Sequence, residues 1–231
     1  MLNLILVEAA LELVPSQILR HPSVRRNAKR RGKKPEETLL NRSLHHSAMS
    51  RLENAEKRGR PDILNVCLLE SQGSPLNRQD LLRTYIHTGQ GYCITVSPEV
   101  RLPRDCNRFN NLMEQLLIVG QVPPKISEPL MTMKRKSLSS LKKDIDPSIT
   151  VAMTSHGEST NLEELCTRLS KEENPLVIIG AYPHGPMSNE TLKEADVTAS
   201  IYPEGLESWT IVSRLIYEYE KTVDNPFMAT S

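Results

Sequence analysis

Apolar positions recur at two different periods along this chain, and the secondary-structure elements follow from them. Residues 3–7 form a short apolar run that predicts a buried strand. Residues 16–31 are polar and basic and predict a helix that Gly32 ends. A second helix is expected over residues 44–57, with Leu44, Ala48, Met49 and Leu52 on one face. Gly59 stops it and Pro61 keeps it from resuming. Residues 63–69 are almost continuously apolar, which suits a central strand. Residues 82–88 and 92–97 read as two strands joined by Gly89-Gln90-Gly91, a hairpin signal. The clearest helix covers residues 105–119. There Phe109, Leu112, Met113, Leu116 and Leu117 fall at helical spacing, and Asp105 or Asn107 can cap the start.

Pro123, Pro124, Pro129 and the Lys/Ser-rich residues up to Pro147 read as a connector. Beyond it the pattern alternates. Residues 149–153 predict a strand, followed by the polar loop Thr154-Ser155-His156-Gly157. A helix follows, with Asn161 as cap, Glu164 at the capping-box position and Leu162, Leu165, Cys166 and Leu169 as its stripe. Residues 176–179 and 197–201 predict two more strands, which end at Gly180 and at Tyr202-Pro203-Glu204-Gly205. A last helix carries Leu206, Trp209, Val212, Leu215, Ile216 and Tyr219 on one side. Strands alternating with helices imply an α/β fold with a parallel sheet.

Composition narrows this picture. The 231 residues suffice for one large domain, and with 4% aromatics the core must rest on aliphatic residues and methionine. No run of 18 apolar residues occurs, so no membrane span is expected. Residues 2–14 are apolar but carry Glu8 and Glu12, and without a basic leader or a small-residue cleavage site they do not read as a signal peptide. The net charge of +1 hides a segregation of sign. Residues 20–60 hold thirteen Lys or Arg against four Glu, and residues 150–231 hold five against thirteen acids. A basic front fits a polyanionic partner and equally a solvated basic helix. Cys67, Cys93, Cys106 and Cys166 form no CxxC pair, so free thiols and a cytoplasmic location are expected rather than a zinc ribbon. His45 and His46 would diverge by about 100° on a helix, so with His21 they predict no metal site.

Two constellations can carry chemistry. Three strands of the second half end in glycine-bearing loops, at residues 154–157, 180–185 and 202–205. In an open α/β sheet, ligands bind beyond the carboxyl ends of the strands, where glycine lets the backbone approach closely. Gly180-Ala181-Tyr182-Pro183-His184-Gly185 is neither a P-loop nor a GxGxxG turn, so no nucleotide hydrolase or dinucleotide fold is indicated. The other constellation is Lys57-Arg58-Gly59-Arg60-Pro61-Asp62 together with Arg101, Arg104 and Arg108. The last two flank a helix start, where exposed amides add positive potential and phosphate is a natural ligand. Salt bridging to the acidic half is the competing use of these arginines, and pairing with one of them is the competing use of Asp62.

Several motifs then occur in order. They are Pro35-Glu36-Glu37-Thr38-Leu39-Leu40-Asn41-Arg42-Ser43-Leu44-His45-His46-Ser47-Ala48-Met49, Arg58-Gly59-Arg60-Pro61-Asp62-Ile63, Ser74-Pro75-Leu76-Asn77 and Tyr85-Ile86-His87-Thr88. Arg101-Leu102-Pro103-Arg104 and Asn107-Arg108-Phe109-Asn110-Asn111-Leu112-Met113-Glu114-Gln115-Leu116-Leu117 complete the set. Together they resemble the archaeal and eukaryotic pseudouridine-specific rRNA methyltransferase and ribosome assembly factor family of the SPOUT superfamily. Asn41 departs from the acidic residue common there, and the loop from Tyr202 to Leu206 is longer than usual.

The resemblance implies a single SPOUT domain over residues 1–231, a mostly parallel sheet flanked by helices, a C-terminal trefoil knot and a homodimer. Residues 1–122 would form an RNA-binding half with a hairpin extension at about 72–98, residues 123–148 a connector, and residues 149–231 the knotted cofactor-binding half. The implied activity is methylation of pseudouridine nitrogen 1 in small-subunit rRNA by S-adenosylmethionine, leaving S-adenosylhomocysteine, in ribosome biogenesis. Thr154, Ser155, Gly157, Ile179, Gly180, Ala181, Gly185, Ile201, Tyr202 and Leu206 would hold the cofactor. Arg58, Arg60, Arg101, Arg104 and Arg108 would hold RNA, and Asp62 would orient the base or accept its proton with Arg60 steadying it. Ribosomal proteins or other assembly factors are the further partners implied. A non-catalytic rRNA-binding assembly factor is the alternative. A Rossmann-type methyltransferase ranks third, because no Gly-rich loop follows the first strand.

Overall fold

A computed structural model describes residues 1–223; residues 224–231 of the expected cofactor-binding half lie outside the described residues. The chain opens on β1, Leu2–Ala9, a strand buried along almost its whole length. A 3-10 turn at Ser16–Ile18 precedes α1, Pro22–Arg31. The first helix therefore starts later than residue 16. His21 caps it by accepting from the Ser23 amide, and Pro22 takes the first helical position, where a missing N–H costs nothing. Gly32 ends α1 in the left-handed region, at φ 63°. The second helix, α2, covers only Arg42–Met49; Asn54, also left-handed at φ 50°, starts a separate turn at Ala55–Lys57.

The strand expected at residues 63–69 is a helix instead: α3, Pro61–Gly73. Pro61 opens this helix rather than blocking one. Its run reads as apolar on all sides because Ile63, Leu64, Cys67 and Leu68 are all buried, and period alone does not separate a buried helix from a buried strand. A short α4, Pro75–Arg78, leads to β2, Leu82–Thr88, and β3, Tyr92–Val96. Helix α5, Cys106–Val119, starts where the Asp105 side chain accepts from the Arg108 amide at 2.9 Å.

Residues 123–148 are not a connector. The strands β4, Gln121–Val122, and β5, Met131–Arg135, pair antiparallel, and α6, Leu138–Ile145, follows under a Ser137 cap. Their polarity is that of a sheet edge, which natural proteins keep charged. The remaining elements are β6 (Ile149–Ser159), α7 (Leu162–Leu169), β7 (Pro175–Gly180), α8 (Asn189–Leu192), β8 (Val197–Ser200) and α9 (Ser208–Thr222).

The eight strands of the described residues form one sheet in the order β4-β5-β3-β2-β1-β7-β6-β8. The four pairings among β2, β1, β7, β6 and β8 are parallel, and the three toward β4 are antiparallel. The hairpin expected as an extension at 72–98 is thus part of the main sheet. Because β1 lies between β2 and β7, the two expected halves share one sheet. The stripe of α9 is likewise spent inside the chain. Val212, Leu215, Ile216 and Tyr219 are buried in the main core, with α9 packed on α3 and α7. These four positions are therefore covered by the chain's own helices, while Leu206 and Trp209 stay partly exposed.

Residues 154–157 are not a loop, because β6 runs through them to Ser159. The pairing of β6 with β8 shifts register between Met153 and Glu158, which leaves a bulge on β6. Gly157 fits there because a Cβ would lie 2.6 Å from the Ala199 nitrogen and 2.7 Å from its carbonyl carbon.

Candidate functional site

The parallel strands β7, β6 and β8 release their chains at one end of the sheet, where ligand sites of open α/β folds form. A cleft of about 380 Å³ opens there. Its walls are the bulge at Thr154 and Ser155, the segment from Ile179 to Met187, and the segment from Ala199 to Ser208 at the entry to α9. Ser208 ties two walls together, its Oγ donating to the Gly180 carbonyl at 2.6 Å. No side chain caps the start of α9, where Glu207 and Ser208 line the cleft. Glu204 and Glu207 line the cleft, and no Lys or Arg does. That charge disfavours a polyphosphate. It suits a compact ligand with positive charge and hydroxyl groups, whose carboxylate could meet the amides of α9.

One wall is braced from outside. Lys57 Nζ donates to Glu8 Oε2 at 2.7 Å and to the Pro186 carbonyl at 2.6 Å. It also stands 4.3 Å from the centre of the Tyr182 ring. The other Glu8 oxygen accepts from the Ser188 amide at 2.8 Å and from Thr191 Oγ1 at 2.9 Å. Burial works against the Glu8 charge, but these donors outweigh it and hold the carboxyl below its ordinary value. Glu8 itself takes a left-handed conformation, φ 51°, at the end of β1.

The arginines divide into two groups. Arg58 is spent inside the protein, its Nε and Nη2 donating to the two Glu12 oxygens at 2.7 and 2.6 Å. Arg60 grips Asp62 at the start of α3 and sits near Glu207 of the cleft wall. Its Asp62 hydrogen bond first, then the charges of Asp62 and Glu207, hold the guanidinium proton above its ordinary value. Arg101, Arg104 and Arg108 are exposed on and before the first turn of α5. In the basic front, Arg31 and Lys33 converge on the buried Glu114 of α5 at 2.5 and 2.6 Å. His45 is buried, with Nδ1 accepting from the Asn41 amide and Nε2 against Asn27, while His46 is exposed.

Of the residues expected at a cofactor, Thr154, Ser155, Ile179, Gly180, Gly185, Ile201, Tyr202 and Leu206 line the cleft. Gly157 and Ala181 do not. Gly157 lies against β8, and Ala181 is fully buried, its N–H donating to Val7 and its carbonyl accepting from Ala10. Gly180 makes its close approach to the Tyr182 ring, 2.7 Å from where a Cβ would sit. Sequence reasoning missed Tyr182, His184, Glu207 and Ser208, although all stand beside the glycines that marked the loops. The Lys57–Glu8 brace has no local signal, because its partners come from three distant parts of the chain.

Together these features define a class: an α/β protein with a small-molecule cleft at the carboxyl ends of parallel strands and an exposed arginine cluster at the start of α5. The chain belongs to the EMG1/NEP1 methyltransferase family, whose model matches residues 4–220. It is 46% identical over 215 residues to the ribosomal RNA small subunit methyltransferase Nep1 of Staphylothermus marinus, covering 93% of each chain. To the protein of the same name from Thermococcus onnurineus it is 41% identical, covering 96% of this chain and 100% of the relative. The crystal structure of Archaeoglobus fulgidus Nep1 bound to S-adenosylhomocysteine superposes with a TM-score of 0.85 at 38% identity, covering 95% of this chain and 97% of that one.

Proposed function

We propose that this chain methylates small-subunit ribosomal RNA with S-adenosylmethionine, at ring nitrogen 1 of a pseudouridine, in the course of small-subunit biogenesis. The observation that carries the reading is the acid-lined cleft at the ends of β6, β7 and β8, in a chain of a methyltransferase family. The named relatives are small-subunit rRNA methyltransferases, and one solved relative holds S-adenosylhomocysteine. The residues present fit such a ligand. Glu204 and Glu207 suit its positive charge, the uncapped start of α9 suits its carboxylate, and the backbone of Ile179, Gly180 and Ile201 can meet its purine. When bound, S-adenosylmethionine supplies an electrophilic methyl group on a sulfonium.

The chain's own residues then have two tasks. Arg101, Arg104 and Arg108 grip phosphates and set the RNA in register. Arg60 and Asp62 fix the target base, which must leave its stack to reach the cleft. Both Asp62 oxygens are engaged by Arg60, so Asp62 is better suited to aiming the guanidinium than to accepting the ring proton. No metal is needed, since alignment and loss of one proton suffice. We read the finer fold as a C-terminal trefoil knot, a reading supported by the family to which the chain belongs. We read the active form as a homodimer that joins two arginine faces, and the four free thiols support a cytoplasmic location.

The test is calorimetric titration of S-adenosylmethionine, followed by transfer of labelled methyl into matched hairpins carrying uridine or pseudouridine. Transfer to the pseudouridine hairpin alone is expected. Cofactor and RNA binding without transfer would instead favour a non-catalytic assembly factor. Light scattering at micromolar concentration reads the dimer.

A further inference from the structure

Lys57 is a positively charged residue next to the basic loop Arg58–Arg60, yet its ammonium turns away from that loop. With Glu8 it joins three separated segments: the end of β1 at Glu8, its own turn, and the cleft wall at residues 182–188. The wall's one buried side chain among the described residues is Met187, which packs with Ile5 and Val7 in the core. The wall contains Pro183, Pro186 and the left-handed Gly185, at φ 92°, and makes no strand pairing. A Cβ on Gly185 would come 3.4 Å from Lys57 Cε, so the lysine stem packs directly against the loop backbone. Glu8 completes the grip by taking the Ser188 amide and Thr191 Oγ1 at the far end of the same segment. One ion pair thus fixes both ends of the wall, from Tyr182 to Ser188.

We propose that Lys57, with Glu8, is a positioning residue for the cofactor cleft. It pre-forms the 182–188 wall, so that the ligand does not bear the entropy of ordering it. The proposal rests on reading this cleft as the S-adenosylmethionine site. Lys57 touches no reacting atom; it acts through Tyr182 and Pro186. Two contributions combine in this geometry. The charge-assisted hydrogen bonds to Glu8 and Pro186 are of the stronger kind. The ammonium over the Tyr182 ring adds a cation–π contact, which turns that ring toward the Gly180 backbone. Because Lys57 directly precedes Arg58 and Arg60, the same contact ties the cofactor wall to the loop expected to meet RNA.

The experiment uses the full chain as Lys57→Met, Lys57→Arg and Glu8→Gln. The first readout needs no ligand: hydrogen exchange at the Ser188 amide and across residues 182–188 in cofactor-free protein. Exchange should accelerate by at least about tenfold in Lys57→Met, as a wall released from the rest of the fold opens locally. The second readout is calorimetric affinity for S-adenosylhomocysteine, which should weaken about tenfold, with KM for S-adenosylmethionine rising more than kcat falls. Lys57→Arg, which can reach the same oxygens and cover the same ring, should restore most of both. Glu8→Gln keeps shape and loses the charge, so it should fall between, and it carries the test if Lys57→Met does not fold. Parental exchange and parental affinity in Lys57→Met would overturn the proposal. So would a general acceleration of exchange across the β1–β2 core that Lys57→Arg did not repair. Leu206→Trp, which fills the cleft, separates the underlying reading: if it leaves S-adenosylhomocysteine binding intact, the cofactor site lies elsewhere, whatever the exchange data give.

Discussion

Arg60 Nε lies 2.8 Å from Asp62 Oδ1 and Arg60 Nη2 lies 2.7 Å from Asp62 Oδ2, a fork of the guanidinium onto a carboxylate two residues along the chain. Pro61 between them makes this possible by fixing the backbone as α3 begins. If the pair acts as a unit that aims Arg60, then Asp62→Asn and Arg60→Ala should each lower single-turnover methyl transfer by about ten- to a hundredfold, and the double variant should be no worse than either. A proton-accepting Asp62 would show a different pattern, with Asp62→Asn far more damaging than Arg60→Ala. Single-turnover rates on a pseudouridine hairpin decide between the two.

Arg101, Arg104 and Arg108 are exposed, whereas Arg58 is engaged by Glu12. Each of the first three, changed to alanine, should weaken RNA binding and lower the slope of log affinity against log salt by about one. The loss should be the same for uridine and pseudouridine RNA, since phosphates carry no base identity. Arg58→Ala should instead lower the melting temperature by leaving Glu12 unpaired, with little change in the salt slope. Filter binding across a salt series and a melting curve for each variant check both statements.

Two glycines near the cleft should respond differently to alanine. At Gly157 the new methyl would meet backbone atoms of Ala199 and Thr198 at 2.6 to 2.8 Å, and paired strands cannot yield. Gly157→Ala should therefore cost several kcal/mol, about 2 or more, by forcing β6 from β8. At Gly180 the contact is the edge of the Tyr182 ring, which can rotate away. Gly180→Ala should stay within about 1 kcal/mol of the parent in stability while weakening S-adenosylhomocysteine binding. Chemical denaturation paired with calorimetry separates the two effects.

Acid should destabilise the protein in two windows. His45 is buried beside Arg31 and His21; burial first, then those charges, push its pKa from 6.5 down to about 4. Its neutral form is the folded one, so this contribution is whole above pH 6.5 and falls away toward pH 4. Burial raises the proton affinity of Glu114, but Arg31, Lys33 and the Leu39 amide outweigh it and hold the group below 4.5. Its contribution is present above that value and is lost as pH falls further. His45→Gln should flatten the stability curve in the upper window only. Glu114→Gln should cost about 2 kcal/mol at neutral pH and flatten the lower window. Denaturant melts from pH 7 to pH 3 read both.

Much of this molecule is legible along the chain, because its strong signals are local. Gly32 ends α1 in the left-handed region, Asp105 caps α5, and β7 ends at Gly180. What escaped was decided by distance. Residues 63–69 are apolar whether they form a central strand or a helix enclosed by the sheet, α5 and α9, and only the enclosure distinguishes the two. β5 looked like linker because a sheet edge and a linker share a polar composition. The α9 stripe is the same whether it covers a sister chain or its own α3 and α7. The family resemblance agrees with the methyltransferase family that matches, while the Lys57–Glu8 brace joins residues that no local pattern connects.

The central place of β1 bears on how this protein comes into being. β1 leaves the ribosome before both strands that flank it, so Leu2 must wait for Leu82, and Asn3 for Leu176, before the two sides of it are hydrogen-bonded. A nascent chain therefore carries a mostly apolar strand with one edge open until β7 has been made, and its parallel partners demand long loop closures. Folding should be slow and late for a chain of this size, and release of a truncated product lacking β7 would leave an adhesive edge open to other chains. The arrangement that builds both halves around one sheet in the finished protein makes neither half viable before the other has been made.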